Sequence, residues 1–236
     1  MKLSIIIPVF NEEKTIAEIL ERVVNLKIAN VDKEIIVVDD GSTDSSKFKV
    51  QSSKLPRVKL FIHEKNLGKG ATVRTGIEKT TGDYIVIQDA DLEYNPNDIA
   101  RLMGPILNNK AKVVYGTRLK RMPNFSKDER NPRFLLHYIG NKFLSLITSI
   151  LYGQWITDME TCYKLFPRKA VKSIHLSSKG FDFEPEITAK LLKKGYKICE
   201  IAIATNPRGY NEGKKLNTFK DGIIAFFTLL KCRFID

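Results

Sequence analysis

Asp89-Ala90-Asp91 sets two carboxylates one residue apart, after a β-rich apolar run and just ahead of the turn formers Asn95-Pro96. Carboxylates so placed can reach one hard cation together, with Mg2+ or Mn2+ completing its shell from water and phosphate oxygens. Such an ion neutralises charge that builds on a departing nucleoside diphosphate. The same two residues also suit a turn that caps the next helix. Asp39-Asp40-Gly41-Ser42-Thr43-Asp44 is a second acidic run. Its carboxylates can accept hydrogen bonds from a ribose or a base N–H, or else close an Asx turn. Asn66-Leu67-Gly68-Lys69-Gly70 is a glycine-rich loop whose backbone N–H groups could approach a phosphate, although it lacks the Walker spacing.

The elements that must position these groups follow from periodicity. Leu3 to Val9, Glu34 to Val38, Val58 to Ile62, Tyr84 to Gln88 and Ala111 to Tyr115 read as buried strands. Between them, Ile16, Ile19, Leu20 and Val23 recur at helical spacing, and Lys69 to Lys79 and Asp98 to Leu107 read as helices. That alternation predicts a parallel sheet with right-handed crossovers, whose ligands gather at the carboxyl ends of the strands. Acidic residues crowd that edge, and mutual repulsion disfavours this unless a cation is shared there.

The second half reads differently. Arg121 to Arg133 is a charged loop with Pro123 and Pro132, and Phe134 to Leu151 is a helix with a narrow polar stripe of His137, Asn141, Ser145 and Thr148. Tyr163 to Phe166 and Ile198 to Ala204 read as strands around a helix from Pro185 to Lys194. A basic loop, Arg208 to Lys215, leads to a final helix that gathers Phe219, Ile223, Phe226, Phe227, Leu230 and Phe234 on one face.

Bulk properties narrow the classes. The chain has 236 residues, 43% of them hydrophobic, enough for a buried core. The 39 Lys and Arg against 27 Asp and Glu leave a net charge of +12, which favours anionic partners. Cys162, Cys199 and Cys232 have no metal-type spacing, and the chain reads as intracellular and reduced. No leader is visible, and the uncharged stretch Phe143 to Thr157 is too short and polar to span a membrane. No RNP-type signature or recognition helix is present, so nucleic acid is not an expected partner.

Four segments stand in order: Ile7-Pro8-Val9-Phe10-Asn11-Glu12-Glu13, Val38 through Asp44, Asn66 through Gly70, and Gln88-Asp89-Ala90-Asp91-Leu92-Glu93. Together they closely resemble family 2 glycosyltransferases. Val114-Tyr115-Gly116-Thr117-Arg118, Thr157-Asp158-Met159-Glu160-Thr161, Phe183-Glu184-Pro185-Glu186-Ile187, Asn206-Pro207-Arg208 and Glu212-Gly213-Lys214-Lys215 look like the dolichyl-phosphate mannose synthase branch, the polyprenyl-phosphate glycosyltransferases.

The resemblance implies an α/β fold of GT-A type, Rossmann-like, with a mixed, mainly parallel sheet flanked by helices. One domain would span 1–210, with a nucleotide-sugar-binding half (1–118) and an acceptor-binding half (119–210). A basic loop and amphipathic helix would follow at 211–236. Pro8, Phe10, Glu12, Val38 and Asp40 would hold the nucleoside, with Gly68 and Ala90 beside the donor. Asp89, Asp91 and Glu93 would bind Mg2+ or Mn2+. Arg118, Arg208 and Lys214 would face the donor diphosphate and the acceptor phosphate, and Asp158 and Glu186 would lie near the sugar. Phe10 departs from a frequent Tyr and Glu93 from a frequent Gln.

The implied reaction moves a sugar from GDP-mannose or a UDP-hexose to a polyprenyl (dolichyl-type) phosphate, with inversion. A phosphate monoester carries about −1.5 to −2 charge and is already a nucleophile, so positioning and cationic clamping suffice. A sugar hydroxyl would require a base instead. Glycan elongation on a hydroxyl is the alternative, and a non-catalytic basic binding module is the second. The expected location is cytoplasmic, peripheral at an anionic membrane face, through the helix at Phe134 to Leu151 and the tail helix. Many relatives have spanning helices after this point, which this sequence lacks, and a separate membrane-anchoring subunit would fill that role.

Overall fold

Strands β1 (Lys2–Val9) and β2 (Asp32–Asp39) are apolar on both faces because helices cover the sheet on both sides. Leu3, Ile5, Ile6, Ile7, Ile35, Ile36, Val37 and Val38 have no exposed surface. The computed structural model describes residues 1–118, 132–206 and 218–236. After β1 comes α1 (Ile16–Asn25), which buries Ile16, Ile19, Leu20 and Val23 on one stripe. The chain continues through α2 (Ser46–Ser52), β3 (Val58–Ile62), α3 (Lys69–Lys79), β4 (Tyr84–Ile87), α4 (Asp98–Leu107) and β5 (Val113–Thr117). The second half supplies α5 (Pro132–Tyr152), β6 (Lys164–Pro167), α6 (Arg168–Lys172), α7 (Phe183–Lys193), β7 (Ile198–Ala202) and α8 (Thr218–Phe234).

The sheet has seven strands in the order β3-β2-β1-β4-β6-β5-β7. Pairings are parallel from β3 through β4 and between β5 and β7, and β6 runs antiparallel to both β4 and β5. Two reversals leave β5 aligned with β4, so the carboxyl ends of β1, β2, β4 and β5 share one edge. The opposite edge is closed by Glu34, which accepts from Ser4 Oγ (2.6 Å) and from the N–H groups of Thr81 and Gly82.

The mixed, mainly parallel sheet matches the sequence reading, which misses the short α2 and α6. Residues 121–131 of the stretch read as a loop and the basic loop Arg208–Lys215 fall outside the described residues, while Pro132 and Arg133, read as the end of that loop, already belong to α5. Phe134–Tyr152 within α5 is long and apolar enough, by length and composition alone, to cross a membrane. The sequence window that began at Phe143 cuts this helix in half. Its inward stripe is nevertheless committed to the domain, because Asn141, Ser145, Thr148 and Ser149 are buried.

Candidate functional site

The loops after β1 and β2 are stitched into one wall. Asn11 adopts φ +51°, and its N–H donates to Ser42 Oγ at 3.0 Å, while its own Oδ1 accepts from the Thr43 N–H at 2.8 Å. The Glu12 N–H donates to Ser46 Oγ, and the Glu13 N–H to Asp44. Pro8, Phe10 and Glu12 are half-buried on this wall. Val38 lies wholly inside the sheet core, so its side chain does not line the surface.

Asp40 is a bracket. Its Oδ1 accepts from the Leu67 N–H (3.0 Å) and contacts His63 Nδ1 (2.7 Å), and its Oδ2 accepts from the Gly68 N–H (2.8 Å). The next N–H groups of the glycine-rich loop are engaged too: Gly70 donates to the Gly180 carbonyl and Ala71 to that of Lys179, both at 3.1 Å. The N–H groups of Leu67, Gly68, Gly70 and Ala71 therefore meet protein acceptors in this arrangement. Gly70 is required here because a Cβ would sit 2.7 Å from the Ser178 carbonyl oxygen.

The loop also delivers Lys69. Its ammonium lies 3.0 Å from Asp89 Oδ1 and 3.1 Å from Glu184 Oε1. These acids and the ring of Phe181, 5.8 Å from the ammonium, tie the first carboxylate of the paired-aspartate motif to α7. Burial opposes the charge of Lys69, but Asp89 and Glu184 hold its pKa well above the ordinary lysine value. Ala90 is buried, while Asp91 and Glu93 are half-buried, and Asp91 Oδ1 accepts the Glu93 N–H at 3.0 Å. The Glu93 carbonyl accepts the Asn206 N–H at 2.9 Å, which brings the end of the β7 segment beside the motif.

Arg118 and Asp158 form the second centre. Asp158 has no exposed surface, and Arg118 grips it in a fork, Nε to Oδ2 and Nη2 to Oδ1, both 2.8 Å. The Arg118 N–H adds a bond to Oδ2 (2.9 Å) and Asn141 Nδ2 one to Oδ1 (3.0 Å). Burial alone would raise the Asp158 pKa, but Arg118 and these hydrogen bonds bring it below the usual aspartate value. Behind the pair lie Glu160 and Lys164. Burial, reinforced by Glu184, raises the Glu160 pKa far above the carboxylate range, and burial lowers that of Lys164. The Lys164 ammonium donates to the Met159 and Thr161 carbonyls and stands 4.8 Å over the Tyr115 ring. Glu160 Oε1 and Glu184 Oε2 are buried without a hydrogen-bond partner among the described residues.

Glu186 faces elsewhere. It accepts from the N–H groups of Ser177 and Ser178 (2.9 Å each) and from Lys190 (3.0 Å), pinning the segment before α7. Arg208 and Lys214 lie outside the described residues. Lys69, Asn141, Glu160, Lys164 and Glu184 are the participants that motif reading leaves unassigned. Lys69 carries a signal in hindsight, since a cation at the first position of a helix opposes the macrodipole and needs acidic neighbours.

Among the described residues no three His, Cys, Asp or Glu side chains converge as a metal cage. One or two hard carboxylates at a strand end still fit Mg2+ or Mn2+, which keeps waters and shares substrate phosphates rather than demanding an all-protein cage.

Comparisons with known proteins agree with this geometry. The sequence profile described as glycosyl transferase family 2 matches residues 4–174. A UDP-N-acetylglucosamine–dolichyl-phosphate N-acetylglucosaminyltransferase of Methanococcus voltae is 31% identical, over 96% of this chain and 94% of that protein. Glycosyltransferase AglJ of Haloferax volcanii is 26% identical, over 96% of this chain and 70% of that one. The solved glucosyl-3-phosphoglycerate synthase of Mycobacterium tuberculosis, in complex with Mn2+, UDP and glucosyl-3-phosphoglycerate, superposes with a TM-score of 0.75. It covers 100% of this chain and 81% of that chain at 20% identity, which establishes the shared GT-A fold.

Proposed function

The chain belongs to glycosyl transferase family 2, and from that premise we propose that it transfers a hexose or N-acetylhexosamine from a uridine-diphosphate sugar to a polyprenyl phosphate. The observation that carries the acceptor class is the commitment of the acids. Asp158 is gripped by Arg118, Glu186 by Ser177, Ser178 and Lys190, and Asp89 by Lys69. None of the three is set up to take a proton, and a phosphate monoester needs none taken. The name of the M. voltae relative supports both the lipid phosphate and a uridine donor over GDP-mannose.

In this reading an acceptor phosphate oxygen attacks the anomeric carbon from the face opposite the leaving group. The bond from that carbon to the diphosphate oxygen breaks, its electron pair leaves with the nucleoside diphosphate, and the configuration inverts. Asp89 and Asp91 would hold Mg2+ or Mn2+, whose chemistry is to neutralise the diphosphate as it departs. Arg118, held in place and kept charged by Asp158, is the cation best fixed to meet a phosphate. Arg208 and Lys214 are proposed as further clamps, and Phe10 and Glu12 as nucleoside contacts.

Glu160 favours the second reading, glycan elongation on a hydroxyl, because a buried carboxyl of raised pKa is suited to general-base work. Transfer from UDP-sugars to polyprenyl phosphate, followed against pH, separates the two. We expect lipid product, with Glu160→Gln retaining transfer and Asp158→Asn losing most of it as Arg118 loses its partner. Labelling of an oligosaccharide with no lipid product, together with abolition by Glu160→Gln, would replace the phosphate acceptor with the hydroxyl one.

A further inference from the structure

Lys69 divides its ammonium unequally between its two acids. It lies 3.0 Å from Asp89 Oδ1 and 3.2 Å from Oδ2, so both oxygens of that carboxylate are engaged. From Glu184 it meets only Oε1, at 3.1 Å, while Oε2 is buried with no hydrogen-bond partner among the described residues. The exposures run the other way. Asp89 keeps 18% of its side chain exposed and Glu184 only 4%. A bridge built for stability alone would satisfy the buried acid first, because an unmade bond costs most where water cannot replace it. The ammonium instead covers the more exposed carboxylate, which belongs to the paired-aspartate motif after β4. A divalent cation on Asp89 would meet that ammonium at close range, and like charges so near each other are disfavoured.

We infer that Lys69 is a displaceable counter-ion of Asp89, a positioning residue that yields this carboxylate to the divalent cation and is then retained by Glu184. The backbone of Lys69 is fixed, because Gly68 before it donates to Asp40 and Gly70 after it to the Gly180 carbonyl. Its long side chain is flexible, so the exchange needs only rotation of the stem. The second position is prepared on the other half of the chain. Glu184 Oε2 lacks a partner, and the Phe181 ring stands 5.8 Å from the ammonium. Lys164, the other buried cation near Glu184, donates to the Met159 and Thr161 carbonyls and leaves that oxygen to Lys69. The exchange conserves ionic contacts, since Asp89 trades one cation for another and Glu184 fills its open oxygen. No covalent bond changes and no proton moves. The inference deepens the proposed function and rests on its reading that Asp89 and Asp91 share Mg2+ or Mn2+. It makes Lys69 the guard that disfavours a cation arriving without a nucleoside diphosphate, and Glu184 the acid that sets how readily the guard yields.

The test counts Mn2+ bound to the full chain by electron paramagnetic resonance, with and without UDP. Wild type is compared with Lys69→Met, Glu184→Gln, Lys69→Met/Glu184→Gln and Asp91→Asn, each checked for folding by circular dichroism. Without UDP, Lys69→Met should bind Mn2+ at least about tenfold more tightly than wild type, because a full positive charge has left the ligand carboxylate. Glu184→Gln should bind it about threefold or more weakly, because Lys69 loses its second acid and holds Asp89 harder. A merely structural bridge would weaken Mn2+ binding in both, so the opposite signs carry the test. The double variant should match Lys69→Met to within about twofold, since Glu184 then has no ammonium to retain. It also carries the test should Lys69→Met alone fail to fold. The gain in Mn2+ affinity on adding UDP should shrink in Lys69→Met. Equal Mn2+ affinity in wild type and Lys69→Met, or weaker binding in both single variants, would overturn the inference. So would tight binding in Lys69→Met that the double variant loses, because Glu184 would then be acting as an added ligand. Loss of joint Mn2+ and UDP binding in Lys69→Met would overturn it as well, because the ammonium would then belong to the diphosphate. Mn2+ binding that survives Asp91→Asn would instead remove the shared-cation reading of the paired aspartates, and the inference with it.

Discussion

Lys69 stands between two acids that come from different halves of the chain, Asp89 after β4 and Glu184 on α7. Its side chain is only 18% exposed, so little solvent screens the arrangement. Removing the ammonium leaves two carboxylates, the buried Glu184 and the half-buried Asp89, facing each other without compensation. Lys69→Met should therefore destabilise the protein by about 3 kcal/mol, the scale for breaking a buried ion pair from one side. Removing the second charge as well relieves the repulsion, so Lys69→Met/Glu184→Gln should be more stable than Lys69→Met alone. Urea unfolding of the two single variants and the double variant measures this coupling. An additive cycle would mean that Glu184 and Lys69 do not interact in solution. Nothing in the local sequence around Glu184 announces this role, because a glutamate in the first turn of a helix is ordinary.

At the scale of elements, two joints hold the halves in register. The first is the start of α3 against residues 178–180, where Gly70 and Ala71 donate to the Gly180 and Lys179 carbonyls. Gly70→Ala would set a Cβ 2.7 Å from the Ser178 carbonyl oxygen, a backbone atom that cannot swing away. A loss of about 1–3 kcal/mol is expected, the usual range for overpacking. Gly140 on α5 provides the contrast, since a Cβ there meets nothing within 4 Å. Gly140→Ala should be neutral or stabilising by up to about 1 kcal/mol, through helix propensity alone. Thermal unfolding of both variants, with opposite signs expected, checks the assignment.

The second joint is Glu186. Burial favours its neutral form, but hydrogen bonds from Ser177 and Ser178, with Lys190 beside them, bring its pKa down to about 2. A carboxyl depressed in the folded state contributes stability that is complete above the unfolded value, near 4.3, and lost as pH falls through the folded one. Glu186→Gln should thus lose roughly 1–3 kcal/mol at neutral pH. The gap from wild type should narrow between about pH 4 and pH 2. A gap that is constant over that window in urea titrations would assign the loss to packing rather than to charge. The apolar periodicities of β1, β2, α1 and α4 make these elements legible from sequence. Helices α2 and α6 are not legible, because seven and five residues hold too few turns for a periodic signal.

At the scale of the whole molecule, the four ordered motifs of the first half mark one edge of the sheet, since each follows a parallel strand, whereas residues 157–161 precede the antiparallel β6 and residues 183–187 open α7. They do not reveal which acids are already engaged, because Asp40, Asp158 and Glu186 meet partners 4 to 40 residues away in sequence. That distribution leads to the last prediction. Among the described residues no three-ligand cage exists, and Lys69 already sits against Asp89. A divalent cation alone finds few donors and a neighbouring positive charge. A nucleoside diphosphate alone brings negative charge to an edge that holds Asp89, Asp91 and Glu93. Each ligand supplies what the other lacks, so their binding should be reciprocally coupled. Thermal unfolding reads this directly, because a ligand at about a hundred times its Kd stabilises by about 2.7 kcal/mol. For a chain of this size that corresponds to roughly 5–10 °C. UDP alone and Mn2+ alone should each move the midpoint by much less, and together they should produce the full shift. Asp91→Asn should abolish the joint shift while unfolding at nearly the wild-type temperature without ligands, since Asp91 is half-buried and the Glu93 N–H that its Oδ1 accepts can be accepted by the amide oxygen of asparagine as well. A full shift from UDP alone, or a joint shift that survives in Asp91→Asn, would mean that the paired aspartates do not share a cation with the diphosphate, and donor binding would have to be assigned to Arg118 and the wall built by Asn11 and Ser42.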